Sequence, residues 1–260
     1  MKGILSIQDL SCVGRCSTTV ALPVLSAMGL RCSVLPTAIL STHTGFDQPY
    51  VLSLTQSIGP VADHWKSQDI SFDGILIGYL SDPEQAAAVL ELLDRFPGVV
   101  ILDPVMGDGG KAYSRITPRH IGAMKKLCQR ADVVLPNVTE AALLTGLSYE
   151  AALENPELLP EKLLALGAKD ALVTGVEKDG KIGFAGRDGL FLATQHPKRL
   201  HGTGDLFAAV FAGAFLSGKP CRESGILAAQ FVGRVVENTP AVTPFGPEFE
   251  TQLPWLWDHR

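Results

Sequence analysis

The chain has 260 residues, 46% hydrophobic and 19% charged, with 26 Gly, 17 Pro and a net charge of −5. That much apolar content excludes disorder, and the Gly and Pro exclude a coiled coil or helical array; a chain this long buries about 75% of its unfolded surface. No basic block offers a nucleic-acid footprint, so an anionic substrate would have to be held by local dipoles against the overall field.

The first eight residues carry one Lys and reach polar positions too soon for a signal peptide, and no apolar run approaches the ~18 residues of a membrane span. Cys12, Cys16, Cys32, Cys128 and Cys221 are odd in number and scattered, which reads as reduced thiols in the cytoplasm. Cys12 and Cys16 lie four apart, but no second Cys/His cluster at zinc spacing completes a site.

In chain order, residues 2–7 form a short apolar run that predicts a buried strand, followed by a polar loop at Gly14. Val20, Leu22, Val24, Leu25 and Met28 predict a helix over 18–28 that Gly29 ends. A second strand is expected at 32–35, and a helix over 47–65 interrupted by Pro49, Gly59 and Pro60. Residues 72–77 predict a third strand and 78–81 a loop. Asp82 as N-cap and Pro83 at the first helical position open a helix through Leu93. The fourth strand, 99–102, ends in Asp103-Pro104. Thr117-Pro118 opens a helix to about Arg130, and the fifth strand, 132–135, ends in Pro136-Asn137. Helices follow over 139–144, closed by Gly146, and 160–166, closed by Gly167, with a sixth strand at 171–174. Residues 181–185 and 190–194 predict a hairpin around the 186–189 turn. Residues 205–216 are apolar nearly all round, as in a buried helix. Residues 223–237 predict a second late helix, and a tail with Pro240, Pro244, Pro247 and Pro254 ends near Trp255 and Trp257. Short apolar strands alternating with helices imply a mostly parallel sheet covered on both faces, and nothing in composition divides the chain into more than one domain, 1–260.

In such sheets ligands bind beyond the carboxyl ends of the strands. The most informative cluster there is Gly202-Thr203-Gly204-Asp205. Two glycines allow close backbone approach, and a helix starting at about Asp205 aims free N–H groups at an anion such as phosphate. A carboxylate beside an anion cradle makes chemical sense as a base: it takes the proton from a substrate hydroxyl while the N–H dipoles hold the charge on a transferring phosphoryl group. Taken alone, the motif also fits an Asp that merely caps a helix. Asn137 and Glu140, three apart, place two oxygen side chains on one helix face, suited to Mg²⁺ directly or through water; a capping box would look the same. Asp103 adds a carboxylate at a strand end. The Gly107-Asp108-Gly109-Gly110-Lys111 loop is flexible enough to close over phosphates, or is a plain surface turn. No P-loop, G-x-G-x-x-G, G-x-S-x-G or H-E-x-x-H motif is present.

Together, Asp103-Pro104-Val105-Met106-Gly107-Asp108, Pro136-Asn137-Val138-Thr139-Glu140, Leu144-Thr145-Gly146 and Gly202-Thr203-Gly204-Asp205 resemble the ribokinase-like superfamily. Within it, the opening from Ile7-Gln8-Asp9 to Ser17, Ser41-Thr42-His43-Thr44-Gly45-Phe46 and Gly78-Tyr79-Leu80 resemble the pyridoxal kinase branch, nearest to bacterial pyridoxamine/pyridoxal kinases. The likeness spans about residues 3–240. It implies a three-layer α/β/α sandwich with a mostly parallel central sheet and an edge hairpin. It also implies ATP-dependent phosphorylation of the 5'-hydroxymethyl group of pyridoxal, pyridoxamine or pyridoxine in vitamin B6 salvage. By the same likeness Asp205 is the catalytic base, and Gly202, Thr203 and Gly204 are the anion hole. Asp9, Thr44 and Tyr79 meet the vitamer ring. Asp103, Asn137, Glu140, Thr174 and Gly175 belong to the nucleotide side, with Mg²⁺ on Glu140 through water. The likeness leaves a monovalent cation open and suggests a homodimer; cysteine use, charge and hydropathy point to a cytoplasmic protein with no nucleic-acid or membrane partner. Many pyridoxal kinases carry Ser where Asp9 stands, which leaves vitamer preference open. Some relatives use a lid cysteine; no Cys lies between Asp103 and Leu127. The competing readings are a hydroxymethylpyrimidine kinase of thiamine synthesis, whose Asp-Pro-Ser-Gly-Gly-like opening is absent here, and a ligand-binding relative, which would have no need of Asp205.

Overall fold

The structure, a computed structural model, describes residues 1–194, 196 and 198–260. Its strands are β1 (Gly3–Ser11), β2 (Arg31–Leu40), β3 (Val51–Ser53), β4 (Gly74–Ile77), β5 (Val99–Leu102), β6 (Gly107–Asp108), β7 (Lys111–Ala112), β8 (Val133–Val134), β9 (Asp170–Ala171), β10 (Val173–Lys178), β11 (Lys181–Gly186) and β12 (Gly189–Thr194). The helices are α1 (Thr18–Ala27), α2 (Thr55–Ser67), α3 (Pro83–Arg95), α4 (Pro118–Cys128), α5 (Val138–Thr145), α6 (Tyr149–Glu154), α7 (Leu159–Ala165), α8 (Thr203–Leu216), α9 (Cys221–Asn238) and α10 (Leu253–His259).

The central sheet runs β3-β2-β1-β4-β5-β8-β9 and is parallel except at its β2–β3 edge. Successive side chains on a strand face opposite sides, and here both sides are buried. Leu5, Ile75, Ile77, Leu102 and Val134 join the core formed with α2 to α7. Ile4, Leu76, Ile101 and Val133 join the core formed with α1, α8, α9 and α10. This is the expected three-layer sandwich. The all-round apolar stretch is indeed a buried helix, α8, lying between α1 and α9. From β9 the chain runs on into the antiparallel sheet β10-β11-β12, so the expected hairpin is two strands of a three-stranded unit.

Three local expectations change. The helix expected over 47–65 is split: Gln48 takes a positive φ of 45°, residues 51–53 pair with β2 as an edge strand, and α2 begins only at Thr55. Asp82 precedes α3, but its carboxylate does not cap it; it accepts hydrogen bonds from Ser53, Thr55 (3.0 Å) and Ser81 (3.2 Å). The proline-rich tail closes with α10, where Pro254 sits in the first turn and needs no N–H, and Trp255 stacks on Phe231 at 6.0 Å. Because β1 lies between β2 and β4, the strand order reverses there, and in open α/β sheets ligands bind beyond the carboxyl ends of the strands at such a point.

Candidate active site

At the start of α8 the glycines do different work. Gly202 is the N-cap with φ 88°, and a Cβ there would drive into the Arg15 carbonyl oxygen, so the fold itself requires glycine. A Cβ on Gly204 would meet nothing within 4 Å. Among the described residues no side chain caps this end, which leaves the first-turn N–H groups to an anion. Thr203 turns its hydroxyl back to the Leu200 carbonyl at 3.2 Å. Gly204→Ala is therefore expected to leave the melting temperature unchanged or slightly higher, since Ala favours a helix over Gly by roughly 0.5–1 kcal/mol, while raising the KM for ATP. A native KM would remove Gly204 from the anion cradle.

Asp205 sits in the first turn of α8, half-buried. Burial pushes its carboxyl up to about 7; a backbone hydrogen bond from Ser17 opposes the rise, and the charge of Asp9 adds to it. Asp9, on β1, is 3% exposed and accepts a hydrogen bond from Ser11 Oγ at 2.9 Å. Its carboxyl is raised by burial, against the pull of the Ser17 and Ser11 hydroxyls. The buried Cys16 thiol is also raised, by burial and then by Asp205 and Asp9. One residue beyond Ser17, the buried Thr18 hydroxyl has no hydrogen-bond partner among the described residues. Such an orphan costs about 1–3 kcal/mol unless water or a bound group answers it.

Asn137 and Glu140 form the capping box of α5. Asn137 Oδ1 accepts the Glu140 N–H at 3.0 Å, and Glu140 Oε2 accepts the Asn137 N–H at 2.8 Å. The pair also reaches across to the loop after β5. Glu140 Oε1 takes the Met106 N–H at 3.0 Å, and Asn137 Nδ2 donates to the Gly107 carbonyl at 2.8 Å. Cap and clamp are thus one device. It fixes the base of the β6–β7 hairpin, whose tip is held by the Gly110 N–H on Thr139 Oγ1 at 2.9 Å. The Gly107–Lys111 turn is this hairpin. Burial raises Glu140, and burial with the charges of Glu140 and Asp205 raises Asp103 well above the usual carboxylate range. Thr174 joins the same end of the sheet: its N–H donates to the Pro136 carbonyl at 2.8 Å, and it bridges to Asn137. Gly175 beside it has φ 68° and open space where a Cβ would stand.

The structure thus gathers Asp9, Asp205, Asp103 and Glu140 at one end of the sheet, with Thr174 and Gly175 adjoining. Tyr79 is 5% exposed, and its phenol, raised by burial, meets the Arg115 side chain. Thr44 is exposed in the loop after β2. Residue types alone did not flag Tyr113, whose phenol is raised by burial and by Glu140, Asp108, Asp205 and Asp103. Arg115, in the loop after β7, was also missed; Ser17 stood in the opening stretch that carries the family likeness but was given no role of its own.

The profile of the family described as phosphomethylpyrimidine kinase matches residues 24–247. The crystal structure of pyridoxal kinase from Lactobacillus plantarum superposes with a TM-score of 0.93 at 34% identity, covering 100% of this chain and 98% of that one. The chain belongs to the pyridoxal kinase family of the ribokinase-like fold. A second member, described as a candidate phosphomethylpyrimidine kinase from Bacteroides thetaiotaomicron VPI-5482 and crystallised with pyridoxal, superposes with a TM-score of 0.91 at 30% identity over 98% of this chain and 95% of that one. The hydroxymethylpyrimidine/phosphomethylpyrimidine kinase of Bacillus subtilis (strain 168) is 31% identical over 198 residues, 73% of this chain and 70% of its own length.

Proposed function

We propose that this pyridoxal kinase family member transfers the terminal phosphoryl group of ATP to the 5'-hydroxymethyl group of a B6 vitamer. The observation that carries the reading is the Asp205 carboxylate, with an acidity near neutrality, in the first turn of a helix whose N–H groups are uncapped. A base with a pKa near the working pH is efficient in proton transfer. Asp205 takes the proton of the vitamer alcohol as the oxygen attacks, and the α8 N–H groups stabilise the charge on the phosphoryl oxygens. Asp9, with Tyr79 as a wall, fixes the ring, and Thr44 approaches from the loop after β2. Thr174 and Gly175 border the nucleotide.

The donor set suits Mg²⁺. Asp103, Glu140 and Asp205 crowd hard oxygen donors whose carboxyls are all held above their usual range. No three His, Cys, Asp or Glu side chains among the described residues form a metal cluster. In this reading the ion would be held mainly by phosphates and water, with Glu140 and Asp103 reaching it through water. Bound there, the ion would neutralise phosphate charge. Glu140→Gln is expected to raise the Mg²⁺ concentration for half-maximal activity. Because it also sets an amide against a backbone N–H, it should lower stability by about 1–3 kcal/mol. Mg²⁺ curves that overlay the native ones would leave Glu140 as cap and clamp alone.

The reading takes the 260 residues as one kinase domain, working in the cytoplasm as a homodimer. A hydroxymethylpyrimidine substrate is the second reading, raised by the 31% identity to the hydroxymethylpyrimidine/phosphomethylpyrimidine kinase of Bacillus subtilis (strain 168). An ADP-release assay with pyridoxal, pyridoxamine, pyridoxine and hydroxymethylpyrimidine separates them. The highest kcat/KM should fall on a B6 vitamer; a highest value on the pyrimidine selects the second reading.

A further inference from the structure

The imidazole of His43 is 5% exposed and has both ring nitrogens engaged. Nδ1 accepts the Gly45 N–H at 3.0 Å, so the proton lies on Nε2, which donates to the Pro244 carbonyl at 2.6 Å. Glycines close on the ring from two sides: a Cβ on Gly14 would drive into it, and one on Gly45 would stand 2.7 Å from it. Phe46 packs edge-on at 4.9 Å, and the ring of His201, the residue before the anion loop, lies 5.7 Å away.

The segment that His43 holds is itself tied to the anion loop. The Arg15 N–H donates to the Phe245 carbonyl at 2.9 Å. Gly246, with φ 84°, leaves a Cβ position only 2.9 Å from the Arg15 carbonyl and 3.0 Å from that of His201. Gly202 abuts the same Arg15 carbonyl, with Pro247 3.5 Å from its Cβ position. The loop 41–47, the turn 12–17, the C-terminal segment 243–247 and the start of α8 are therefore one contact unit with His43 at its centre. On the reading given above, the first of these loops carries a vitamer residue and the last carries the phosphate cradle.

We propose that His43 is a positioning residue that locks the loop 41–47 to the segment 243–247, and through it to Gly202, so that ATP and the vitamer strengthen each other's binding. Whichever substrate arrives first orders loops that the second also needs, so the second has less to order. The role presupposes that the chain binds both ligands.

The test is calorimetric titration of the native chain with pyridoxal, alone and with saturating non-hydrolysable ATP analogue, repeated on His43→Phe and His43→Gln. Native pyridoxal binding should tighten at least about fivefold with nucleotide, the low end of ordinary coupling between sites. His43→Phe keeps an aromatic ring against Phe46 and His201 but loses both hydrogen bonds, and the tightening should fall below about twofold. His43→Gln, with an amide that donates to the Pro244 carbonyl, should recover part of it. A loss of melting temperature with native coupling would show a merely structural ring and overturn the role, as would a native chain without coupling. If His43→Phe does not fold, the native chain and His43→Gln decide between the same outcomes. A native chain that binds neither ligand would instead overturn the kinase reading itself.

Discussion

Asp205→Asn is expected to lower turnover by about 10²–10⁴-fold, the usual worth of a positioned base, while pyridoxal still binds. The carboxamide keeps the shape and the backbone hydrogen bond from Ser17 but cannot take a proton. The native rate should rise with pH through about 7, as Asp205 ionises, and that limb should be absent from the residual rate of the variant. Stability should move the opposite way. The folded carboxyl is raised from 3.8 to about 7, so the folded state holds a proton that the unfolded chain has released between those values. The stability gained by holding it is full below the unfolded value and lost as pH rises through the folded one. Asp205→Asn should therefore melt higher than the native chain at about pH 8, with the difference shrinking towards about pH 5. Near-native turnover, with or without these shifts, would end the assignment.

Asp9→Ala is expected to raise the vitamer KM by roughly tenfold to a hundredfold, leaving the KM for ATP nearly unchanged. The range follows from about 1.5–3 kcal/mol for a hydrogen bond to a charged partner. Asp9 is buried, and although the Ser11 and Ser17 hydroxyls and a backbone N–H donate to it, burial outweighs them and raises its carboxyl. A protonated ring nitrogen, a ring hydroxyl or an amine would supply the donor that stabilises it. Initial rates over a grid of both substrates measure the two constants together. Equal loss for ATP and vitamer, or no loss for the vitamer, would place the ring elsewhere.

What sequence alone could reveal depended on how locally each feature is encoded. The start of α8 was legible because Gly202, Thr203, Gly204 and Asp205 are contiguous and lead straight into an apolar run. The three layers were legible because apolar strands and helices alternate. Asn137 and Glu140 stayed ambiguous because a capping box and a ligand pair use the same spacing, and in the fold they cap α5 and clamp the hairpin at once. The edge strand β3 was hidden by Pro49 and by a pairing partner, Leu40, that only the folded chain brings near. Arg115 and His43 matter through contacts made tens or hundreds of residues away, Tyr79 for one and Pro244 for the other. No local pattern announces such contacts.

The central claim, phosphoryl transfer from ATP to a vitamer alcohol, is tested most directly by phosphorus NMR of the native chain with limiting ATP and equal pyridoxal and hydroxymethylpyrimidine. A phosphate ester on the 5' oxygen of pyridoxal, formed ahead of any pyrimidine ester and missing with Asp205→Asn, is the expected spectrum. An ester on the pyrimidine alone, or ATP consumed to inorganic phosphate with no ester, would contradict it.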